Sequence, residues 1–214
     1  MSHYVIFSMI PPVETATRRE VARKARQEAR DSIVAAAREL IRRRSYAELN
    51  VDEVMREAGL GRTIFYRHFD DLGDLLLKVA QGVIGELYEA QPALDDIGPG
   101  GEVAAVWQGL VPAVAVYHRH GPLLRGISEA AASDEDVARV RDAMRAQFAT
   151  QAASYLREAR SRGSFPLADV DETAYALTVM SNAYLLEAFG HEPRVSVEVA
   201  AKTLSEIWIA VVRS

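Results

Sequence analysis

The sequence predicts an all-α protein of about nine helices, and three observations carry that expectation. Apolar residues recur at helical spacing along most of the chain, no segment alternates convincingly as a half-buried strand, and Gly/Pro punctuation separates the periodic stretches. The 214 residues are 49% hydrophobic and 26% charged, enough for one large domain or two small ones. Those proportions exclude disorder and collagen-like repeats, and the absence of cysteine excludes a disulfide scaffold, thiol catalysis and Cys-ligated metal.

Taken in order, residues 1–17 (MSHYVIFSMIPPVETAT) are expected to be a disordered lead-in. Their apolar stretch is too short for a signal peptide, lacks a basic start and runs into Pro11-Pro12. A first helix is expected over 18–44, where Ile33, Val34, Ala37, Leu40 and Ile41 form one apolar stripe. Short helices at 51–58 and 62–68 lead to a longer one at 71–90. The run from Gln91 to Gly101 (QPALDDIGPGG) clusters prolines, glycines and aspartates and reads as a loop. Helices at 102–119 and 122–132 flank the break Gly121-Pro122, with Pro122 suited to a first helical turn.

Val137, Val140, Met144, Phe148, Tyr155 and Ala159 extend one stripe through a long helix at 135–162. Ser133 stands at capping-box spacing from Asp136, and Arg160, Arg162, Gly163 and Pro166 mark the helix end. Two final helices, 168–189 and 195–213, are separated by the stretch from Gly190 to Pro193. The uncharged run Thr173 to Leu186 falls short of the roughly 20 apolar residues that span a bilayer. No membrane partner is therefore expected, and the cytoplasm is the expected location.

The net charge of −5 is unevenly spread. From Arg18 to Arg67 there are 13 Lys and Arg against 8 Asp and Glu; beyond Leu77 the figures are 12 against 18. A basic head on an acidic body suggests that one segment meets a polyanion. Arg18, Arg19, Arg23, Lys24, Arg26 and Arg30 gather near the start of the first helix, placed to lie along a phosphate backbone.

The segment NVDEVMREAGLGRTIFYRHF, from Asn50 to Phe69, is the most specific in the chain. Asn50 can cap a helix with Glu53 at the capping-box position, and Gly59 can end it in the left-handed conformation. The turn Gly59-Leu60-Gly61 then opens a second short helix at Arg62, which describes a helix-turn-helix with Leu60 plugging the angle. In that motif the second helix enters the major groove, leading with Arg62 and Thr63, followed one turn on by Tyr66 and Arg67. Arginine can read guanine, and the hydroxyls can fix phosphates; His68 is a phosphate neighbour or helix cap. Ile64, Phe65 and Phe69 are expected to face the core. Candidate DNA contacts are thus Arg18, Arg19, Arg23, Lys24, Asn50, Arg62, Thr63, Tyr66, Arg67 and His68.

A basic first helix, then AREL, then Y-x-x-x-x-V-x-x-V-x-x-x-A-G, then RTIFYRHFDDLGDLL: over about residues 20 to 80 this pattern resembles the TetR family of transcriptional repressors. The resemblance implies an N-terminal three-helix DNA-binding domain, here 18–69, and a ligand-binding and dimerisation domain, here 70–214. It implies a dimer on a palindromic operator, released when a small molecule binds the body. Two positions depart from the family pattern. Gly61 stands where a hydroxyl residue is usual, and Leu72, beside Asp70-Asp71, replaces a phosphate-touching lysine. Weaker anchoring there is expected to be offset by the arginine-rich first helix.

Further on, the runs HGPLLRGISEAAASDEDVARV, EARSRG, ALTVMSNAYLLEAFG and IWIAVV are similar to the EthR-like subgroup, which implies an elongated, largely hydrophobic ligand channel. The residues themselves suit a cavity. Trp107, Leu110, Val114 and Tyr117 lie three or four apart on one helix, and the uncharged helix offers Thr178, Ser181 and Asn182 among apolar neighbours. With Trp208, these are the candidate ligand-binding residues for a hydrophobic small-molecule effector. Helices near 168–189 and 195–213 correspond to the pair that forms a four-helix bundle between family subunits, so a homodimer is expected. An isologous dimer would set two recognition helices ~34–36 Å apart.

Catalysis finds no support. The histidines His3, His68, His118, His120 and His191 make no metal pair: His118 and His120 diverge on a helix, and His191 follows a helix end. GLGRT lacks the lysine of a phosphate loop, no HExxH or nucleophile elbow occurs, and no cofactor is implied. The alternative function is a helical ligand carrier or protein-interaction adaptor with weakened DNA binding, kept open by Gly61, Leu72 and Asp70-Asp71.

Overall fold

The computed structural model describes residues 18–90, 102–162 and 169–213, and every regular element among them is helical. In order these are α1 (Arg18–Arg43), a 3₁₀ turn (Tyr46–Glu48), α2 (Val51–Glu57), α3 (Arg62–Phe65), α4 (Leu72–Glu89), α5 (Glu102–Ala130), α6 (Glu135–Arg162), α7 (Val170–Phe189) and α8 (Val197–Arg213). The expected lead-in at 1–17 and loop at 91–101, with Gly163 and Pro166, lie outside the described residues.

The local rules account for most boundaries. Asn50 caps α2 by accepting from the Glu53 amide at 3.0 Å. The box is not reciprocal, because the Glu53 carboxylate turns to Arg44 at 2.9 Å. Gly59 closes α2 at φ +69°, and the Leu60 amide donates to the Met55 carbonyl at 2.9 Å, the long bond of a Schellman cap. Gly61 precedes α3 with no side-chain cap. At α4, Asp71 accepts from the Asp74 amide at 2.8 Å while Asp74 accepts from the Asp70 amide at 3.2 Å. The two aspartates of the DD dipeptide are thus engaged in starting a helix.

Three expectations are corrected. The break at Gly121-Pro122 does not divide two helices; α5 runs unbroken through Pro112 and Pro122, leaving eight α-helices among the described residues rather than about nine. A proline inside a helix costs about 3 kcal/mol. The turns after Pro122 bury Leu123, Leu124 and Ile127, each worth about 1.5–3 kcal/mol, so packing outweighs the lost bond. Gly121 serves a different purpose: a Cβ there would stand 2.0 Å from the Phe189 carbonyl oxygen, so it lets α7 end against α5.

Ser133 does not cap α6. Asp134 does, accepting from the amides of Asp136 and Val137 at 3.0 Å each, because an ionised carboxylate is the stronger acceptor at a helix start. And α3 is α-helical only over Arg62–Phe65, continuing to His68 through tighter bonds such as His68 amide to Phe65 carbonyl at 2.8 Å. β-branched Thr63 and Ile64 with aromatic neighbours hold helix poorly, and a 3₁₀ finish is the usual compromise.

One buried cluster runs from Ile33, Phe65 and Phe69 near the N-terminus through Leu76 and Ile127 to Leu185 and Phe189. A second surrounds Leu156 and joins α5, α6 and α7, with Trp208 and Ile209 of α8 packed on it. The first half of α1 leaves this core, and its residues from Arg18 to Glu28 are exposed. Among the described residues no helix is long and apolar enough to cross a membrane.

Candidate functional site

The helix-turn-helix presents one polar face because its apolar face is pinned. Phe65 and Phe69 are 0% and 2% exposed, and Ile64 and Leu60 pack on the same cluster. Arg62, Thr63, Tyr66 and Arg67 are left facing solvent, with Tyr66 54% exposed. Within this face Arg62 donates to the Asp52 carboxylate at 2.6 Å and to the Tyr66 hydroxyl at 3.1 Å, its guanidinium 5.9 Å from the Tyr66 ring centroid. The bond to Asp52, then that to Tyr66, holds Arg62 firmly protonated. Asp52 is thus a partner of the leading arginine that sequence reasoning did not single out.

Arg26 of α1 donates to the Arg67 carbonyl at 3.2 Å, and the Arg30 guanidinium lies 5.5 Å from the Phe69 ring, so α1 and α3 are joined on this side. Arg18, Arg19, Arg23 and Lys24 are exposed along the projecting half of α1. Asn50 is exposed too, with its amide oxygen committed to the cap. His68 is half-buried, and burial, then Arg26, Arg30 and Arg67, lowers its pKa; it stands neutral among cations rather than adding one. The arrangement can donate to phosphates and base edges and offers little to an apolar partner.

A cavity of about 440 Å³ opens among α4, α5, α6, α7 and α8. Of the expected ligand residues, Leu110, Tyr117, Thr178, Ser181, Asn182 and Trp208 line it. Trp107 and Val114 do not: Trp107 is 42% exposed on the outside of α5, and Val114 is wholly buried in packing. Helical phase explains both, since the cavity stripe of α5 is Val106, Gly109, Leu110, Ala113 and Tyr117.

The polar groups are ordered. The Tyr117 hydroxyl donates to Asn182 Oδ1 at 2.6 Å, leaving the Asn182 amide hydrogens for a ligand. Trp208 Nε1 donates to Ser181 Oγ at 3.1 Å, and Thr178 donates to the Ala174 carbonyl at 2.8 Å. Burial pushes the Tyr117 hydroxyl pKa up, partly offset by the positive charge of Arg145. Gln151 Oε1 is buried without a hydrogen-bond partner on the cavity wall.

Sequence reasoning missed the α6 wall. Arg141, Met144, Arg145, Phe148, Gln151, Ala152 and Tyr155 all line the cavity, and their spacing of three and four was available as a signal. Among the described residues no three His, Asp or Glu side chains gather as a metal site.

The two regions meet at α5. Glu129 accepts from Ser45 Oγ at 2.7 Å and from the Tyr46 amide at 3.0 Å, just after α1. Glu129 also pairs with Arg125, whose Nε donates to the Gly190 carbonyl at 2.8 Å beyond α7. One turn of the same helix supplies Leu124, Ile127 and Ser128 to the cavity. The Tyr46 phenol is pushed up to about 12 by burial, then by Asp134 and Asp71, and stays neutral at this junction.

Residues 33–79 match the family model for bacterial regulatory proteins of the tetR family, and residues 106–214 match that for the C-terminal domain of the transcriptional regulator EthR. The HTH-type transcriptional regulator EthR of Mycobacterium tuberculosis is 25% identical over 194 residues, covering 89% of this chain and 90% of the relative. Its counterpart in Mycolicibacterium smegmatis is 23% identical over 193 residues, 89% of each chain. A tetR-family regulatory protein from Rhodococcus RHA1 superposes with a TM-score of 0.69 at 17% identity, covering 86% of this chain and 96% of that one. These are transcriptional regulators, not enzymes.

Proposed function

The chain belongs to the EthR-like group of TetR family transcriptional regulators, and from that premise we propose that it is a ligand-responsive repressor, acting as a homodimer on a palindromic operator in the cytoplasm. Residues 18–69 form the reading head and 70–214 the sensing body. The observation that carries the reading is the position of α5, which lines the cavity with Ile127 and Ser128 and grips the chain beside α1 through Glu129. A hydrophobic ligand that moves this helix alters the bearing of the head, and operator affinity falls by the ligand's preference for the moved state.

Arg62, Thr63, Tyr66 and Arg67 serve as the DNA-reading group, with the exposed cations of α1 along the phosphates. The proposed dimer seam lies on α7 and α8, a reading supported by Tyr175, Val199 and Ile207, which are large and solvent-facing in the monomer. The test is fluorescence anisotropy on the DNA directly upstream of the gene at two salt concentrations. Tight, competitor-resistant binding that weakens steeply with salt is expected. Weak binding matched by random DNA would overturn the repressor reading in favour of a ligand carrier.

A further inference from the structure

We propose that the cavity takes an amphiphilic monoanion, a carboxylate on an aliphatic tail, with its headgroup held by Arg141 and Arg145 of α6. This rests on the effector-cavity reading above and adds a charge to it. Both arginines line the cavity, one helical turn apart on one face of α6. Both turn to a single oxygen, Asp142 Oδ1: Arg141 reaches it through Nε at 2.9 Å and Nη2 at 2.8 Å, and Arg145 through Nη1 at 3.4 Å. Among the described residues neither has a second acidic partner, and one carboxylate cannot neutralise two guanidiniums.

The rest of the described wall does nothing to balance that charge. Among the described residues no Asp or Glu lines the cavity, whose remaining polar groups are the hydroxyls, amides and indole of residues such as Tyr117, Ser181, Asn182 and Trp208. The two arginine side chains are only 29% and 28% exposed, so water screens them less than a surface cation. Arg145 also acts on the Tyr117 hydroxyl, which places its field across the cavity. A cation would be repelled here. A neutral hydrocarbon would leave the excess charge uncompensated. A carboxylate fits the planar fork of arginine and completes the pair of pairs.

The tail follows from the next two turns of α6. Past Arg145 the same face carries Phe148, Gln151 and Ala152, and Leu110 and Leu186 also line the cavity. From Arg145 to Ala152 the helix rises about 10 Å, the reach of a medium-length alkyl chain.

The test uses the full chain carrying Trp107→Phe, which leaves Trp208 on the cavity wall as the sole tryptophan. Its emission is followed during titration with decanoate and with methyl decanoate, below micelle formation. Decanoate is expected to bind about tenfold more tightly than its ester. The double variant Arg141→Gln/Arg145→Gln should lose that preference while binding the ester as before, and Asp142→Asn should widen it. An ester that binds as well as the acid, or a preference that survives the double substitution, would overturn the headgroup assignment. If acid and ester bind equally and both release DNA, the headgroup assignment alone falls. If neither saturates Trp208, the effector-cavity reading falls with it.

Discussion

Arginine is proposed to do the recognising at both ends of this molecule, under opposite conditions. On α3, Arg62 stands in solvent, and its carboxylate partner Asp52 is exposed as well. On α6, Arg141 and Arg145 sit on the wall of an apolar cavity and share one carboxylate. An exposed pair exchanges readily for phosphate or a base edge, so the head holds its cation ready at little cost. A less hydrated pair with too little counter-charge is instead suited to selecting what enters the body. The same side chain is thus proposed to read a polyanion in one place and to choose a monoanion in the other, with burial making the difference.

The contrast depends first on the head keeping its shape. Phe65→Ala, which empties the position that pins α3, is expected to destabilise by about 3–5 kcal/mol in urea unfolding and to abolish DNA binding with it. A smaller loss is expected where the regions join. Glu129→Ala removes the carboxylate that accepts from Ser45 and the Tyr46 amide and pairs with Arg125, at about 1–3 kcal/mol. Ligand binding measured by Trp208 emission should persist in that variant while ligand-driven DNA release weakens; intact release would break the link drawn through α5.

Gly59→Ala places a Cβ at φ +69° and should cost about 1–2 kcal/mol, visible as a lowered Tm. The mildest change sharpens the head. Gly61→Ser adds the missing cap to α3 at φ −76°, where a Cβ meets nothing within 4 Å, and should stabilise by about a few tenths of a kcal/mol. A clear loss of Tm in that variant would show that the glycine is needed for some contact other than the cap.

The head was legible because its signals are local. Asn50, Gly59 and the apolar triplet Ile64, Phe65 and Phe69 each act within a few residues, and each takes the place expected for it. The body depends on packing between distant segments. Trp107 and Val106 differ by one position, 100° of helix, which put the expected aromatic outside and a valine at the wall. Pro122 reads as a helix start until Leu123, Leu124 and Ile127 are seen buried around it. Nothing in the sequence singles out Arg141 and Arg145, because only the neighbouring helices show that this face looks inward.

The head's proposed role rests on α3 reading DNA through Arg62 and Tyr66. Operator affinity of Arg62→Ala and Tyr66→Ala by fluorescence anisotropy, with Tm recorded alongside, tests it most directly. Each is expected to lose about ten- to a hundredfold in operator affinity with Tm unchanged. Operator binding unchanged in both variants would contradict it.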